Sequence, residues 1–145
     1  MIALVTGSNG FIGRHLVERL STKPCSAVQQ FDIQNTREDL EASLASADIV
    51  YHLAGVNRPR SEAEFEQGNT GLTAEICAVL RKLGRRPAIV MSSSVQAALD
   101  NPYGVSKQKA EDVLGAFGGE TGAEIRIFRL KNVFGKWCRP NYNSV

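Results

Sequence analysis

Short apolar runs alternate with amphipathic runs along this chain. Ile2-Ala3-Leu4-Val5 is uninterrupted and apolar, and Ile12, Leu16, Val17 and Leu20 follow it at helical spacing. The first pattern predicts a buried strand and the second a helix. The pair then recurs. A second strand is expected over 27–33, ending at Asp32, and a short helix over 37–47 through Leu40 and Leu44. Residues 48–55 read as a third strand, apolar enough to be covered on both faces. A long helix is expected over 62–83, with Leu72, Ile76, Val79, Leu80 and Leu83 as its stripe and Gly84 as its stop signal. Residues 88–91 form a fourth strand that delivers Ser92-Ser93-Ser94 at its end. After a turn at Asp100-Asn101-Pro102, a helix begins near Tyr103 and runs through Val113, Leu114 and Phe117 to Gly118-Gly119. Residues 124–130 form a fifth strand, and 131–145 are loop-like.

Strands separated by helices predict an α/β fold, a Rossmann-like doubly wound parallel sheet of about five strands with right-handed crossovers. Ligands of such a sheet sit at the carboxyl ends of the strands. The glycine turn Thr6-Gly7-Ser8-Asn9-Gly10-Phe11-Ile12-Gly13, Asp32, Gly55, the serine run and Asn132 all fall on that edge.

The glycine turn suits a dinucleotide. Gly7 permits a backbone conformation that a Cβ would obstruct, Gly10 lets the main chain approach a pyrophosphate, and Gly13 lets the helix pack close to the strand. Free N–H groups and the dipole at the helix start then hold the phosphates. The spacing is G-x-x-G-x-x-G, and the strand before it and helix after it are what turn three glycines into a nucleotide signal. Asp32, about 20 residues further on, can accept hydrogen bonds from an adenosine ribose and would repel a 2′-phosphate, which favours NAD over NADP. Arg14 and Arg37 would soften that preference. As a plain loop residue, Asp32 would be only a solvated carboxylate.

Tyr103 and Lys107 lie one helical turn apart on one face. A phenol ordinarily titrates at about 10, and a neighbouring ammonium lowers that value. A tuned Tyr103 can pass a proton to or from an alcohol or sugar oxygen, a serine hydroxyl can hold that oxygen, and Lys107 can also bond a nicotinamide ribose. Most Tyr-x-x-x-Lys pairs are helix surface; the serine run and the glycine turn make this one specific. Within the third strand, His52 reads as a satisfied structural histidine. Asn69 is either a surface residue or a side chain tying its helix to the neighbouring strand or to a proton relay. Arg58 and Arg60 follow a strand end, where a substrate phosphate would lie or where they would simply be solvated.

The chain has 145 residues, 43% hydrophobic and 22% charged, with a net charge of +2. That suits one soluble domain with a real core and gives no nucleic-acid footprint. No apolar run is long enough to span a bilayer, and the N-terminal strand enters the glycine turn rather than a signal-peptide pattern. Cys25, Cys77 and Cys138 lack metal-ligand spacing and read as reduced cytoplasmic thiols. With only His15 and His52 present, no metal site is expected.

These residues together resemble the extended short-chain dehydrogenase/reductases, the NAD-dependent epimerase/dehydratase family. The matching stretches are Thr6-Gly7-x-x-Gly10-Phe11-Ile12-Gly13, Asp48 with His52-Leu53-Ala54-Gly55, Asn69, Ser92-Ser93-Ser94, Tyr103-x-x-x-Lys107 and Arg129-x-x-Asn132-x-Phe134-Gly135. The resemblance implies Tyr103 as acid/base, Lys107 as its partner and Ser94 as the hydroxyl, with Ser93 second. It implies a cofactor held by Gly7, Asn9, Gly10, Phe11, Ile12, Gly13, Asp32, Leu53, Ala54, Gly55 and Lys107, and a UDP-sugar met by Ser94, Arg58 and Asn132. It also implies a homodimer through the helices 62–83 and 103–117.

Longer stretches, 52–59, 92–104 and 132–145, are similar to the bacterial CapF-type capsular polysaccharide enzymes. Those join a reductase domain to a cupin domain on the route to UDP-N-acetyl-L-fucosamine, and their reductase domain uses NADPH on a 4-keto, 6-deoxy UDP-sugar. The implied function is NAD(P)H-dependent 4-reduction of such a sugar, with 1–145 as the N-terminal NAD(P)-binding Rossmann domain of a longer, truncated enzyme whose substrate domain is absent. An epimerase of the same fold and a non-catalytic dinucleotide-binding module are the competing readings. A dehydratase is disfavoured because Val95, not an acid, follows Ser94. Asp32 departs from an NADPH pattern. Only a short helix separates the second strand from Asp48, where many relatives carry a further strand. The uncovered edge of the last strand would promote self-association.

Overall fold

The N-terminal apolar run becomes β1 (Ile2–Thr6), which pairs in parallel with β2 (Ala27–Phe31) on one side and β3 (Ile49–His52) on the other. β3 pairs in parallel with β4 (Ala88–Ser94), and β4 with β5 (Ile125–Leu130). This computed structural model describes residues 1–23, 27–57, 59–136 and 138. Among them the sheet runs β2-β1-β3-β4-β5. The direction of the strand order reverses between β1 and β3, so a switch-point crevice opens above their carboxyl ends.

Side chains alternate across the sheet as the pleat requires. Leu4, Val50, Ile89 and Met91 pack under α2 (Arg37–Ser46), α4 (Leu72–Leu83) and α5 (Pro102–Thr121), against Leu40, Leu44, Ile76, Leu80, Leu114 and Phe117. On the other face, Ala3, Val5, Ile49 and Tyr51 meet Leu16, Val17 and Leu20 of α1 (Phe11–Ser21). The doubly wound α/β arrangement is therefore as the sequence pattern predicts. β5 is an edge strand, and Phe128 on it is half-exposed.

Several boundaries differ from the sequence reading, and β2 ends at Phe31 rather than at Asp32. The expected helix over 62–83 is α3 (Glu62–Phe65), a π-helical stretch over Glu66–Gly71, and then α4. The stretch contains Gly68, Asn69, Thr70 and Gly71, poor helix formers whose backbone is cheaply widened. The serine run is part of β4 rather than beyond it, because β5 supplies partners for Ser92, Ser93 and Ser94. A 3-10 turn over Val95–Ala98 follows. α5 passes through Gly118-Gly119 and ends at Gly122, whose left-handed φ of 73° makes the C-cap. Finally, β3 stops at His52, leaving Leu53-Ala54-Gly55 as irregular backbone at its carboxyl end.

Cys77 is a buried free thiol, and burial pushes it up to about 11. Cys25, Arg58, Trp137 and residues 139–145 lie outside the described residues. No described helix is long and apolar enough to cross a membrane.

Candidate active site

A cleft of about 700 Å³ runs along the carboxyl ends of β1, β3, β4 and β5. Its first wall is the glycine turn. Gly7 has a left-handed φ of 68°, and a Cβ there would lie 2.7 Å from the Ala54 nitrogen. A Cβ on Gly13 would overlap the Gly7 carbonyl oxygen. Both positions therefore require glycine, and the requirement is a close approach of three backbone segments. α1 opens on Gly10 as N-cap, with no capping side chain and no acidic residue in its first turn. Gly10, Phe11, Ile12 and Gly13 all line the cleft, so the orphan N–H groups of that turn are at hand for an anion.

Asp32 follows β2 and holds this turn in place. Its Oδ2 accepts from the Asn9 N–H at 2.7 Å and its Oδ1 from the Ile33 N–H at 2.8 Å. Its own N–H donates to Asn35 Oδ1 at 2.9 Å. Asn9 lines the cleft; Asp32 is not among its lining residues. Arg37 turns to Glu75, with Nε 2.7 Å from the carboxylate, whereas Arg14 lines the cleft and is exposed.

The second wall is built on α5. Asn101 caps that helix by accepting from the Gly104 N–H at 2.8 Å, and Pro102 begins it, which puts Tyr103 in the first turn at the cleft. The Tyr103 ring leans on Phe65, centroids 5.6 Å apart and tilted 52°. One turn on, Lys107 is only 4% exposed and its Nζ donates to the Ser92 carbonyl at 3.1 Å. Burial pulls the Lys107 ammonium down to about 8, and the Glu111 carboxylate opposes that shift.

The strand alternation sorts the three serines. Ser93 is buried on the α5 side and donates to Glu111 Oε1 at 2.5 Å. Ser93 also lines the cleft, but its hydroxyl proton is committed to Glu111. Ser94 points the other way, lines the cleft, and accepts from the Gln96 N–H at 3.2 Å as the cap of the 3-10 turn. The structure thus separates the two hydroxyls that the sequence leaves as first and second choices.

Asn69 is buried at 1% exposure and is no surface residue. Its Oδ1 accepts from the Val56 N–H at 2.9 Å, and its Nδ2 donates to the Val56 carbonyl at 3.1 Å and to Ser106 Oγ at 2.9 Å. Ser106 in turn donates to the Tyr103 carbonyl at 2.8 Å. Asn69 thereby joins the loop after β3 to the first turn of α5. The π-helical widening lies where this side chain must reach both. Gly55 sits under the junction: a Cβ there would be 2.8 Å from Asn69 Oδ1 and 3.2 Å from Lys107 Nζ.

His52 has the structural role expected of it. Thr73 Oγ1 donates its one proton to the Asn69 carbonyl at 2.7 Å, so it accepts from His52 Nε2 at 2.8 Å. Nδ1 then accepts from Thr6 Oγ1 at 2.9 Å, and Thr6 accepts from the Ala54 N–H at 3.2 Å. Burial, and secondarily the Lys107 charge, push the imidazole down to about 3. It is neutral and fully satisfied.

Of the other expected residues, Leu53, Gly55 and Asn132 line the cleft, while Ala54 backs Gly7 from behind. Arg58 cannot be placed because it is outside the described residues. Arg60 is exposed and away from the lining, its N–H donating to Glu64 at 2.9 Å. Sequence reasoning missed Glu111 and Thr73. The signal for Glu111 was present: it lies one turn beyond Lys107, beside Ala110 and Leu114 on the apolar stripe, where a carboxylate needs a partner.

The model of the NAD dependent epimerase/dehydratase family matches residues 3–144. The chain belongs to this family. It is 46% identical over 144 residues to a UDP-2-acetamido-2,6-beta-L-arabino-hexul-4-ose reductase of Pseudomonas aeruginosa, covering 99% of this chain and 39% of that protein. It matches the crystal structure of the capsular polysaccharide assembling protein CapF from Staphylococcus aureus with a TM-score of 0.86 and 42% identity, over 100% of this chain and 39% of that one. MoeE5, solved with UDP-glucuronic acid and NAD, matches with a TM-score of 0.79 and 25% identity, over 97% of this chain and 58% of that one. The chain thus spans about 39% of the length of the first two relatives.

Proposed function

We propose that this chain is the dinucleotide-binding, N-terminal part of a cytoplasmic nucleotide-sugar reductase acting on a 4-keto, 6-deoxy UDP-N-acetyl-hexosamine on the route to UDP-N-acetyl-L-fucosamine. The observation that carries the reading is one cleft that joins the Gly7–Gly13 turn to Ser94, Tyr103 and Lys107. The 46% identity to a protein named as a UDP-sugar 4-ulose reductase supports the substrate class.

The residues fit a nicotinamide dinucleotide. Gly7 and Gly13 let the backbone of the turn close up against Ala54 and the start of α1, and the uncapped α1 start accepts a pyrophosphate. When bound, the reduced dinucleotide supplies the hydride. The chain's own residues handle the proton. Ser94 donates to the sugar keto oxygen and holds it; Tyr103 delivers a proton to that oxygen. Lys107 keeps the Tyr103 hydroxyl acidic and bonds the nicotinamide ribose. Asn132 faces the sugar nucleotide, with Arg58 as a phosphate partner. Asp32 favours NADH, since its charge would repel a 2′-phosphate and Arg37 is drawn off to Glu75.

The same reading makes the functional unit a homodimer paired through 62–83 and 103–117, and exposed Val105 on α5, with exposed Leu99 just before that helix, supports an apolar contact there. The test is stoichiometry. A reductase consumes one reduced dinucleotide per 4-keto sugar, whereas an epimerase shows no net consumption and a binding module shows no turnover.

A further inference from the structure

Behind the cleft lies a cluster that the proposed proton chemistry does not use. Glu111 is 8% exposed, yet every polar contact to its carboxylate comes from another element. Its Oε1 accepts from Ser93 Oγ on β4 at 2.5 Å and from Arg129 Nε on β5 at 3.0 Å. Its Oε2 accepts from Arg129 Nη2 at 2.7 Å. Arg129 Nη2 also donates to Gln108 Oε1 at 2.7 Å, back on α5. Burial alone would raise the Glu111 carboxyl, but the Arg129 and Ser93 hydrogen bonds and the Arg129 and Lys107 charges hold it below the ordinary carboxylate range. It is therefore a carboxylate, and it stands one helical turn from Lys107.

We infer that Glu111 is a positioning residue: its carboxylate, clamped by Ser93 and Arg129, fixes α5 on β4 and β5 and supplies the counter-charge to the buried Lys107 ammonium. Two bonds cross from α5 to consecutive residues of β4, Lys107 to the Ser92 carbonyl and Ser93 to Glu111. Together they set the height of α5, and hence of Tyr103, over Ser94. Arg129 extends the clamp to β5 just before Asn132. The titratable groups that interact with Lys107 are Glu111 on its own helix and neutral His52 on β3, with Arg129 of β5 acting through Glu111. Without Glu111 the ammonium would keep its bond to the Ser92 carbonyl but lose the carboxylate that opposes desolvation. The inference rests on Lys107 as the working cation of the cleft.

The test reads Lys107 directly, with no cofactor present. Its side-chain Cε resonance is followed by NMR against pH, assigned by its loss in Lys107→Arg. In Glu111→Gln the midpoint is expected to fall by at least about half a pH unit, the least expected of a unit charge one turn away. In Arg129→Gln, which removes a competing cation and leaves the carboxylate, it is expected to rise. A clamp that only holds elements together would lower the melting temperature in both variants and leave both midpoints at the wild-type value; that result overturns the inference. Should Glu111→Gln not fold, Arg129→Gln decides alone, because Arg129 is 41% exposed and Glu111 keeps its hydrogen bond from Ser93. The same two variants, titrated with NADH, separate failure of this inference from failure of the dinucleotide reading. Opposite shifts in the NMR midpoint with no NADH binding in any variant would uphold the clamp and reject the dinucleotide.

Discussion

His52 donates from Nε2 to Thr73 and accepts at Nδ1 from Thr6, so one buried imidazole ties β1, β3 and α4 together beneath the glycine turn. Its folded value of about 3 lies below the ordinary 6.5, so the unfolded chain binds a proton that the folded one refuses. Stability therefore falls as pH drops below 6.5 and continues to fall toward 3. The loss is about 2 kcal/mol between pH 6.5 and 5. Urea melts at the two pH values check this. His52→Gln should be less stable than wild type at pH 7 but lose much less on acidification; parallel losses would show that another group carries the transition.

Asn69→Ala removes three hydrogen bonds and strands the Val56 N–H under the cleft floor. A cost of about 2–4 kcal/mol is expected from that many buried partners. Hydrogen exchange at Val56 should accelerate ahead of that in β3. An unchanged exchange rate would mean that the π-helical stretch is held by packing alone.

Tyr103→Phe keeps the ring against Phe65 and deletes only the hydroxyl. Turnover of a 4-keto UDP-sugar should drop by roughly 10²–10⁴-fold, the usual worth of a positioned proton donor, with NADH affinity little changed. Comparable activity in the variant would move the chain to a binding role.

Asp32→Asn removes the charge while keeping an oxygen for the Asn9 N–H. The ratio of NADPH to NADH affinity should rise by about tenfold or more, roughly 1.4 kcal/mol. Equal loss of both affinities would instead mark Asp32 as purely a clamp on the glycine turn.

The order of strands and helices was legible because β1, β3 and β4 are apolar runs and α1 and α4 carry clear stripes. What escaped was local. The serines look like loop residues by propensity, yet the ladder to Phe128, Arg129 and Leu130 holds them as strand, because main-chain pairing does not depend on the side chain. Period-two alternation says that Ser93 and Ser94 face opposite sides, but the phase is set by Glu111 on a helix that the pattern could not orient. Asn69 presented a choice between surface and tie because nothing in a helical stripe foretells a π-helical widening. Asp32 was located at the carboxyl edge of the sheet, where it directly follows β2, but its bond to Asn9 depends on the path of the turn, which three glycines leave open.

The dinucleotide cleft is tested most directly by titrating the chain with NADH and with NADPH and following nicotinamide fluorescence. Saturable binding is expected, tighter for NADH, and competed by ADP-ribose at the glycine turn. A folded chain, verified by circular dichroism, that gives no saturable signal with either would contradict the reading of the Gly7–Gly13 turn as a phosphate cradle.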